Sequence, residues 1–150
     1  VMLEIGPDRL IEHVDRFGFD TSKFPRNTQL AIGGGTMAIN PMQMAVAYAV
    51  FANGGWRVEP WIIDHVTDLA GARVLTGTRR LPDQPSEAGS EPDLTPDFEP
   101  AERALDERIA FVMNSMLRDV ITNGTGRRAR ELGRDDLAGK TGTTNEAADT

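Results

Sequence analysis

Apolar residues along this chain follow two rhythms, one helical and one alternating, and the switches between them mark out its elements. Leu10, Ile11, Val14 and Phe17 fall at helical spacing behind Pro7, and Gly18 follows them. This predicts a short amphipathic packing helix from Pro7 to Phe17. A loop from Asp20 to Thr28 leads to Ala31-Ile32-Gly33-Gly34-Gly35-Thr36, whose glycines permit turns closed to other residues. That segment reads either as a loop beside a ligand or as a tight link that lets the next helix dock. Met42 to Phe51 is almost wholly apolar, and Met44, Ala45, Ala47, Tyr48, Ala49 and Val50 leave hardly a polar face. The predicted helix is therefore buried on most sides, with its methionines as core filler. Asn40 is the expected cap, Pro41 the first helical position and Asn53-Gly54-Gly55 the stop.

Alternation takes over from Arg57 to Thr67, where Val58, Trp61, Ile63 and Val66 predict a strand. Asp68-Leu69-Ala70-Gly71 can turn it into a second strand at Ala72 to Thr76, completing a β-hairpin. The helical rhythm returns at Asp106. Ile109, Val112, Met113, Met116, Leu117 and Val120 form a stripe that ends at Asn123-Gly124, so this helix is expected to lie against a sheet. Leu137 to Thr144 then reads as a strand. Between Pro82 and Pro100 there are five prolines, several acids and no Lys or Arg. This is the composition of a solvated, partly disordered insertion at 82–100, with an acidic docking patch as the second reading.

Composition narrows the function. A chain of 150 residues with 39% hydrophobic residues suits one domain with an ordinary core. It opens inside the apolar segment Val1-Met2-Leu3-Glu4-Ile5 and ends at Thr150, so it is expected to be a piece of a longer protein. A formal charge of −7 and a pI near 4.8 disfavour nucleic acid as a partner, which needs a basic face. No long apolar run or signal pattern occurs, which places any anchor outside this piece. The absence of cysteine removes disulfides, thiol catalysis and cysteine-ligated zinc together. His13 and His65 fall on different predicted elements, so no metal pair is expected and both read as surface or packing residues.

Candidate chemistry concentrates in Gly139-Lys140-Thr141-Gly142-Thr143-Thr144. Fourteen of the sixteen cations are arginines, and Lys23 is the only lysine besides Lys140. A buried lysine is a compact charge whose pKa can move, so Lys140 between small and hydroxylated residues suits a wall for an anionic substrate. Codon bias with one accidental lysine gives the same tally. The phosphate-binding loop is the nearest rival, but five residues separate Gly133 from Gly139 instead of four, and two of them are Asp135 and Asp136. Thr141, Thr143 and Thr144 also disfavour the helix such a loop requires. Arg127, Arg128 and Arg130 read equally as helix-end cations or as substrate contacts. Asn123-Gly124-Thr125 matches a glycosylation sequon, and a helix stop explains the same residues.

Lys140 to Asn145, preceded by Gly124-Thr125-Gly126-Arg127-Arg128-Ala129, by Pro41-Met42-Gln43-Met44-Ala45 and by Tyr48 to Gly55, resembles the transpeptidase domain of class A penicillin-binding proteins over nearly the whole chain. The resemblance implies an α+β fold, a fragment of the serine β-lactamase/penicillin-binding transpeptidase fold with an antiparallel sheet and helices on both sides. It implies a serine acyl transferase that cross-links peptidoglycan stem peptides and is mimicked by β-lactams, without metal or cofactor. Lys140 would give electrostatic support to the serine and the substrate carboxylate, and Thr141 and Thr143 would offer hydroxyls to that carboxylate. The Thr143 backbone N–H would be an oxyanion-hole donor, Gly142 would let substrate lie alongside, and Thr144 would complete the substrate-binding run.

No Ser-x-x-Lys occurs here, so the nucleophilic serine lies outside the chain and this fragment alone is expected to be inactive. The resemblance also implies an upstream glycosyltransferase domain and an anchor in the cytoplasmic membrane, with the catalytic domains on its periplasmic or extracellular side. A D,D-carboxypeptidase or β-lactamase shares Lys-Thr-Gly and differs in using water as acceptor. A noncatalytic sensor or structural module on the same fold is the third reading. Oligomeric state is left open.

Overall fold

The computed structural model describes residues 1–33, 37–76, 79–81 and 98–142. Helix α1 (Met2–Ile5) is a single turn, and Gly6 at φ 79° redirects the chain into α2 (Pro7–Asp15). The stripe read from the sequence is the inward face of α2: Ile11 and Phe17 are buried, Leu10 and Val14 half-buried. Regular helix stops at Asp15, and Phe17 reaches the core from a turn closed by Gly18 at φ 89°. Two 3-10 turns follow, Thr21–Lys23 and Thr28–Ile32, each started by a side-chain oxygen, that of Asp20 and of Asn27. Of the glycine run, Gly34, Gly35 and Thr36 lie outside the described residues.

Helix α3 (Pro41–Ala52) begins where the capping residues require it. Asn40 accepts from the Gln43 N–H at 2.8 Å while Gln43 accepts from the Asn40 N–H at 3.0 Å, a reciprocal box worth about 1 kcal/mol. Its expected burial on most sides is not found. Ala47 and Val50 are buried, but Met42 is 55% exposed, and Met44 and Tyr48 are exposed as well. Apolar composition alone does not supply neighbours: α3 meets β1, α4 and the Phe17 turn, which cover one side of it.

The predicted strand from Arg57 to Thr67 is split. Its ends form β1 (Trp56–Arg57) and β2 (His65–Thr67), while Glu59 and Pro60 fall in an irregular stretch between them. Pro60 has no N–H to give a ladder and restricts the residue before it. The hairpin end is as expected. Strand β2 pairs antiparallel with β3 (Arg73–Thr76), and the Asp68 carboxylate closes the turn by accepting from the N–H groups of Ala70 and Ala72, both at 2.9 Å. Strand β4 (Arg79–Leu81) pairs in parallel with β5 (Phe98–Pro100). The last three residues of the expected insertion are thus strand, and residues 82–97 lie outside the described residues.

Strand β6 (Glu102–Arg103) returns to pair antiparallel with β1. Arg57 and Glu102 form an ion pair at 2.9 Å, and the Arg103 guanidinium stacks 4.1 Å from the Trp56 ring centre. The core lies where this pair meets the helices, formed by Phe17, Ala47, Val50, Ala104, Leu105 and Ala110.

Helix α4 (Glu107–Thr122) runs from the Asp106 cap to Asn123, as its sequence pattern indicates. Among the described residues it packs on α3 and on a 3-10 turn at Arg127–Leu132 and not on a sheet, and Ile109, Val112 and Met116 of its apolar stripe are exposed. The small Ala110 is the residue of α4 that is buried in the core, where this helix meets α3. Asp106 accepts from the Arg108 N–H at 2.9 Å and pairs with the Arg108 side chain at 3.1 Å. Those bonds, the side-chain one first, hold its carboxyl at about 2. Because the folded value lies below the unfolded one, this stabilisation is complete above about pH 4 and disappears as pH falls through about 2. Asp106→Asn keeps a capping oxygen without that titration. Its stability deficit relative to the wild type in urea unfolding should therefore shrink between about pH 4 and pH 2. A deficit that stays constant would contradict the assignment.

Candidate functional site

The end of α4 builds one side of the site. The N–H groups of Asn123 and Gly124 both bond the Asp119 carbonyl, at 2.8 and 3.0 Å, and the Gly126 N–H bonds the Val120 carbonyl at 2.9 Å. The chain then folds tightly over the last helical turn, which is why glycines stand here. A Cβ on Gly124 would lie 2.8 Å from Val120 Cα, and one on Gly126 2.8 Å from Ile121 Cδ1. Arg127 Nε donates to the Gly124 carbonyl at 3.3 Å, just past the end of α4, and Arg127, Arg128 and Arg130 are all exposed. Asn123 caps α4 and bonds Asp119 through its side chain at 2.6 Å, in line with the helix-stop reading of the sequon.

The segment carrying Lys140 lies back along the same helix. Arg118 donates to the Asp135 carbonyl at 2.8 Å, and the Gly139 N–H donates to the Leu117 carbonyl at 3.1 Å. Residues 137–142 are not a strand: their ordered backbone bond goes to α4, and among the described residues no strand runs beside them to form a ladder. Lys140 is exposed, not buried, and its Nζ donates to the Thr141 carbonyl at 2.8 Å. Thr141 Oγ1 meets Thr125 Oγ1 at 2.6 Å. That contact brings the Gly-Thr-Gly turn of α4 against the Lys-Thr-Gly run. Gly142 is exposed with open space where a Cβ would point, whereas Thr143 and Thr144 lie outside the described residues.

Electrostatics favour an anionic ligand. Residues 127–140 hold five cations against three anions within a chain of net charge −7. One of those anions is engaged locally, since the Arg134 side chain hydrogen-bonds Asp136 and holds its carboxyl at about 2. Local positive potential raises the concentration and residence of anions at such a surface. Among the described residues no cluster of His, Cys, Asp or Glu could hold a metal ion. His13 packs on the Phe17 ring and lies 2.7 Å from Arg16, and its pKa is lowered by burial and by Arg16; His65 bonds Asp64.

Residues 1–150 match the profile of the penicillin binding protein transpeptidase domain. The chain belongs to that family. This transpeptidase-family chain is 38% identical, over 99% of its length, to penicillin-binding protein 1A of Pseudomonas aeruginosa and of Neisseria lactamica. It spans 22% and 16% of those two relatives. Its backbone resembles the crystal structure of penicillin-binding protein 1A from Haemophilus influenzae, with a TM-score of 0.75 and 31% identity over 96% of this chain and 24% of that one. The α+β transpeptidase fold is therefore the fold of this chain, with its described strands in three separate pairs. Sequence reading placed Thr125 in the Gly-Thr-Gly-Arg-Arg block and in the sequon and gave it no role at the site. Its signal was a hydroxyl flanked by glycines at a helix end.

Proposed function

We propose that the protein carrying this chain is a serine-type peptidoglycan D,D-transpeptidase that β-lactams acylate, and that this chain forms the Lys-Thr-Gly wall of its cleft. The observation that carries this reading is the contact between Thr125 and Thr141. It joins two of the sequence blocks behind the family resemblance at an exposed surface beside Lys140. Relatives named penicillin-binding protein 1A favour the transpeptidase over a hydrolase on the same scaffold.

In this reading a serine outside the chain attacks the carbonyl of the penultimate D-Ala of a stem peptide. The serine O–acyl bond forms, the amide C–N bond breaks, and terminal D-Ala leaves with a proton. The amine of a neighbouring stem then takes the acyl group, and the serine recovers its proton. Lys140 supplies positive potential to the serine and the substrate carboxylate. Thr141 and Thr143 give hydroxyls to that carboxylate, the Thr143 N–H polarises the reacting carbonyl, and Gly142 and Thr144 continue the wall. Loss of one oxyanion donor costs about 10²- to 10³-fold, so a piece lacking the nucleophile has no turnover. The whole protein is further proposed to hold a glycosyltransferase domain and a membrane anchor, and to work on the outer side of the cytoplasmic membrane.

Labelled penicillin added to the whole protein tests the reading, followed by a D-amino acid offered as acceptor to the acyl-enzyme of a stem-peptide analogue. Covalent labelling and transfer to the amine are expected. Labelling followed only by hydrolysis would assign a carboxypeptidase or β-lactamase, and absence of labelling would leave a noncatalytic module.

A further inference from the structure

Thr125 sits in a turn that leaves it little freedom. Gly124 and Gly126 on either side press onto α4, the Gly126 N–H is bonded to the Val120 carbonyl at 2.9 Å, and Arg127 closes on the Gly124 carbonyl at 3.3 Å. The hydroxyl held by this turn meets Thr141 Oγ1 at 2.6 Å, a close O–H···O contact.

A hydroxyl has one proton to give and two lone pairs that accept. Thr141 can give its proton to an anionic ligand only if the other member of this contact is the donor. We infer that Thr125 is a positioning residue for the ligand carboxylate: its O–H donates to Thr141 Oγ1, sets the rotamer of Thr141 and leaves the Thr141 proton directed to the carboxylate. This rests on the proposed acyl-transfer function and adds a residue to it. Donation into Thr141 Oγ1 also polarises the Thr141 O–H and strengthens the next bond in the chain. With the reverse polarity Thr141 would present only lone pairs to a carboxylate, which repels them. Lys140 holds the same residue from the backbone, through the Thr141 carbonyl at 2.8 Å, so cation and hydroxyl are set by one residue.

The test uses the whole protein with Thr125→Val, which keeps the shape and removes the hydroxyl, and with Thr125→Ser, Thr141→Val and the Thr125→Val/Thr141→Val pair. Penicillin and penicillin methyl ester, whose carboxylate is masked, are the probes. Thr125→Val should lower the second-order acylation rate with penicillin about 5- to 10-fold, the size of one hydrogen bond, and leave the slower reaction of the ester unchanged. Thr125→Ser should stay within about twofold of the wild type, and the double variant should be no slower than Thr141→Val alone. Equal losses for penicillin and its ester, or additive losses in the cycle, would mean that Thr125 only holds the α4 turn, and the inference would fall. Wild-type rates in Thr125→Val would overturn it as well. A wild-type protein that penicillin does not acylate would instead bring down the acyl-transfer reading and this inference with it, whereas a Thr141→Val variant with unchanged acylation would remove the carboxylate role of Thr141 and overturn this inference alone.

Discussion

Lys140→Ala in the whole protein should slow acylation by penicillin about 100-fold while changing unfolding stability by no more than about 0.5 kcal/mol. The two halves of this expectation come from the same geometry. Lys140 is exposed, and its ammonium bonds the carbonyl of the next residue, so among the described residues it holds no core contact and no distant element. Truncation therefore leaves the fold unstrained. At the reaction centre the balance differs, because a unit charge about 4 Å from a developing anion contributes about 4 kcal/mol at an effective dielectric of 20. That corresponds to about a thousandfold in rate, and solvent access reduces it toward a hundredfold. Lys140→Arg keeps the charge but replaces a compact ammonium by a longer planar fork, so it should recover part of the loss and remain about tenfold slow. Acylation within about threefold of the wild type in Lys140→Ala would remove Lys140 from the proposed mechanism. A large loss of stability would instead show that the lysine is structural.

What could be read in the sequence divides along the distance over which the deciding contact acts. Asn40, Pro41 and Gln43 define the start of α3 because each capping bond spans three residues, and Asp106 and Asn123 mark α4 for the same reason. The Asp68 turn is equally local. Trp56 was hidden, since its strand partner is Arg103, far along the chain, and no local pattern announces a two-residue ladder. The burial of α3 was overestimated because hydrophobicity says what a helix would accept as a neighbour, not which neighbours arrive. The run after Leu137 has strand-forming residues but bonds to α4, and propensity yields to the partner at hand. At the candidate site Lys140, Thr141 and Gly142 were legible as a motif, whereas the role of Thr125 comes from a hydroxyl contact that exists only after folding. The expected contributions of Thr143 and Thr144 lie outside the described residues.

Gly54 and Gly55 look interchangeable as a helix stop, yet their alanine variants should differ by several kcal/mol. Gly54 has φ 80° and no atom within 4 Å of a built Cβ. Gly54→Ala should therefore cost only the left-handed backbone penalty, about 1–2 kcal/mol. Gly55 has φ 105°, and its Cβ would stand 2.1 Å from the Leu105 carbonyl oxygen and 3.0 Å from its carbon. Both are backbone atoms, so no side-chain rotation can relieve the overlap. The glycine also ties α3 to the link between β6 and α4: its N–H bonds the Val50 carbonyl at 2.8 Å, and its carbonyl accepts from the N–H groups of Ala104 and Leu105 at 2.9 and 3.0 Å. Moving either strand of this junction displaces Val50, Ala104 and Leu105, half of the buried core cluster. Gly55→Ala should accordingly cost more than about 4 kcal/mol, a large share of the 5–15 kcal/mol that holds a typical domain together. In the whole protein this should appear as loss of soluble, penicillin-acylated material with Gly55→Ala, while Gly54→Ala retains both with a modestly lowered unfolding midpoint. Equal midpoints for the two variants would show that the approach of Leu105 to Gly55 is not what fixes the junction between α3 and the start of α4.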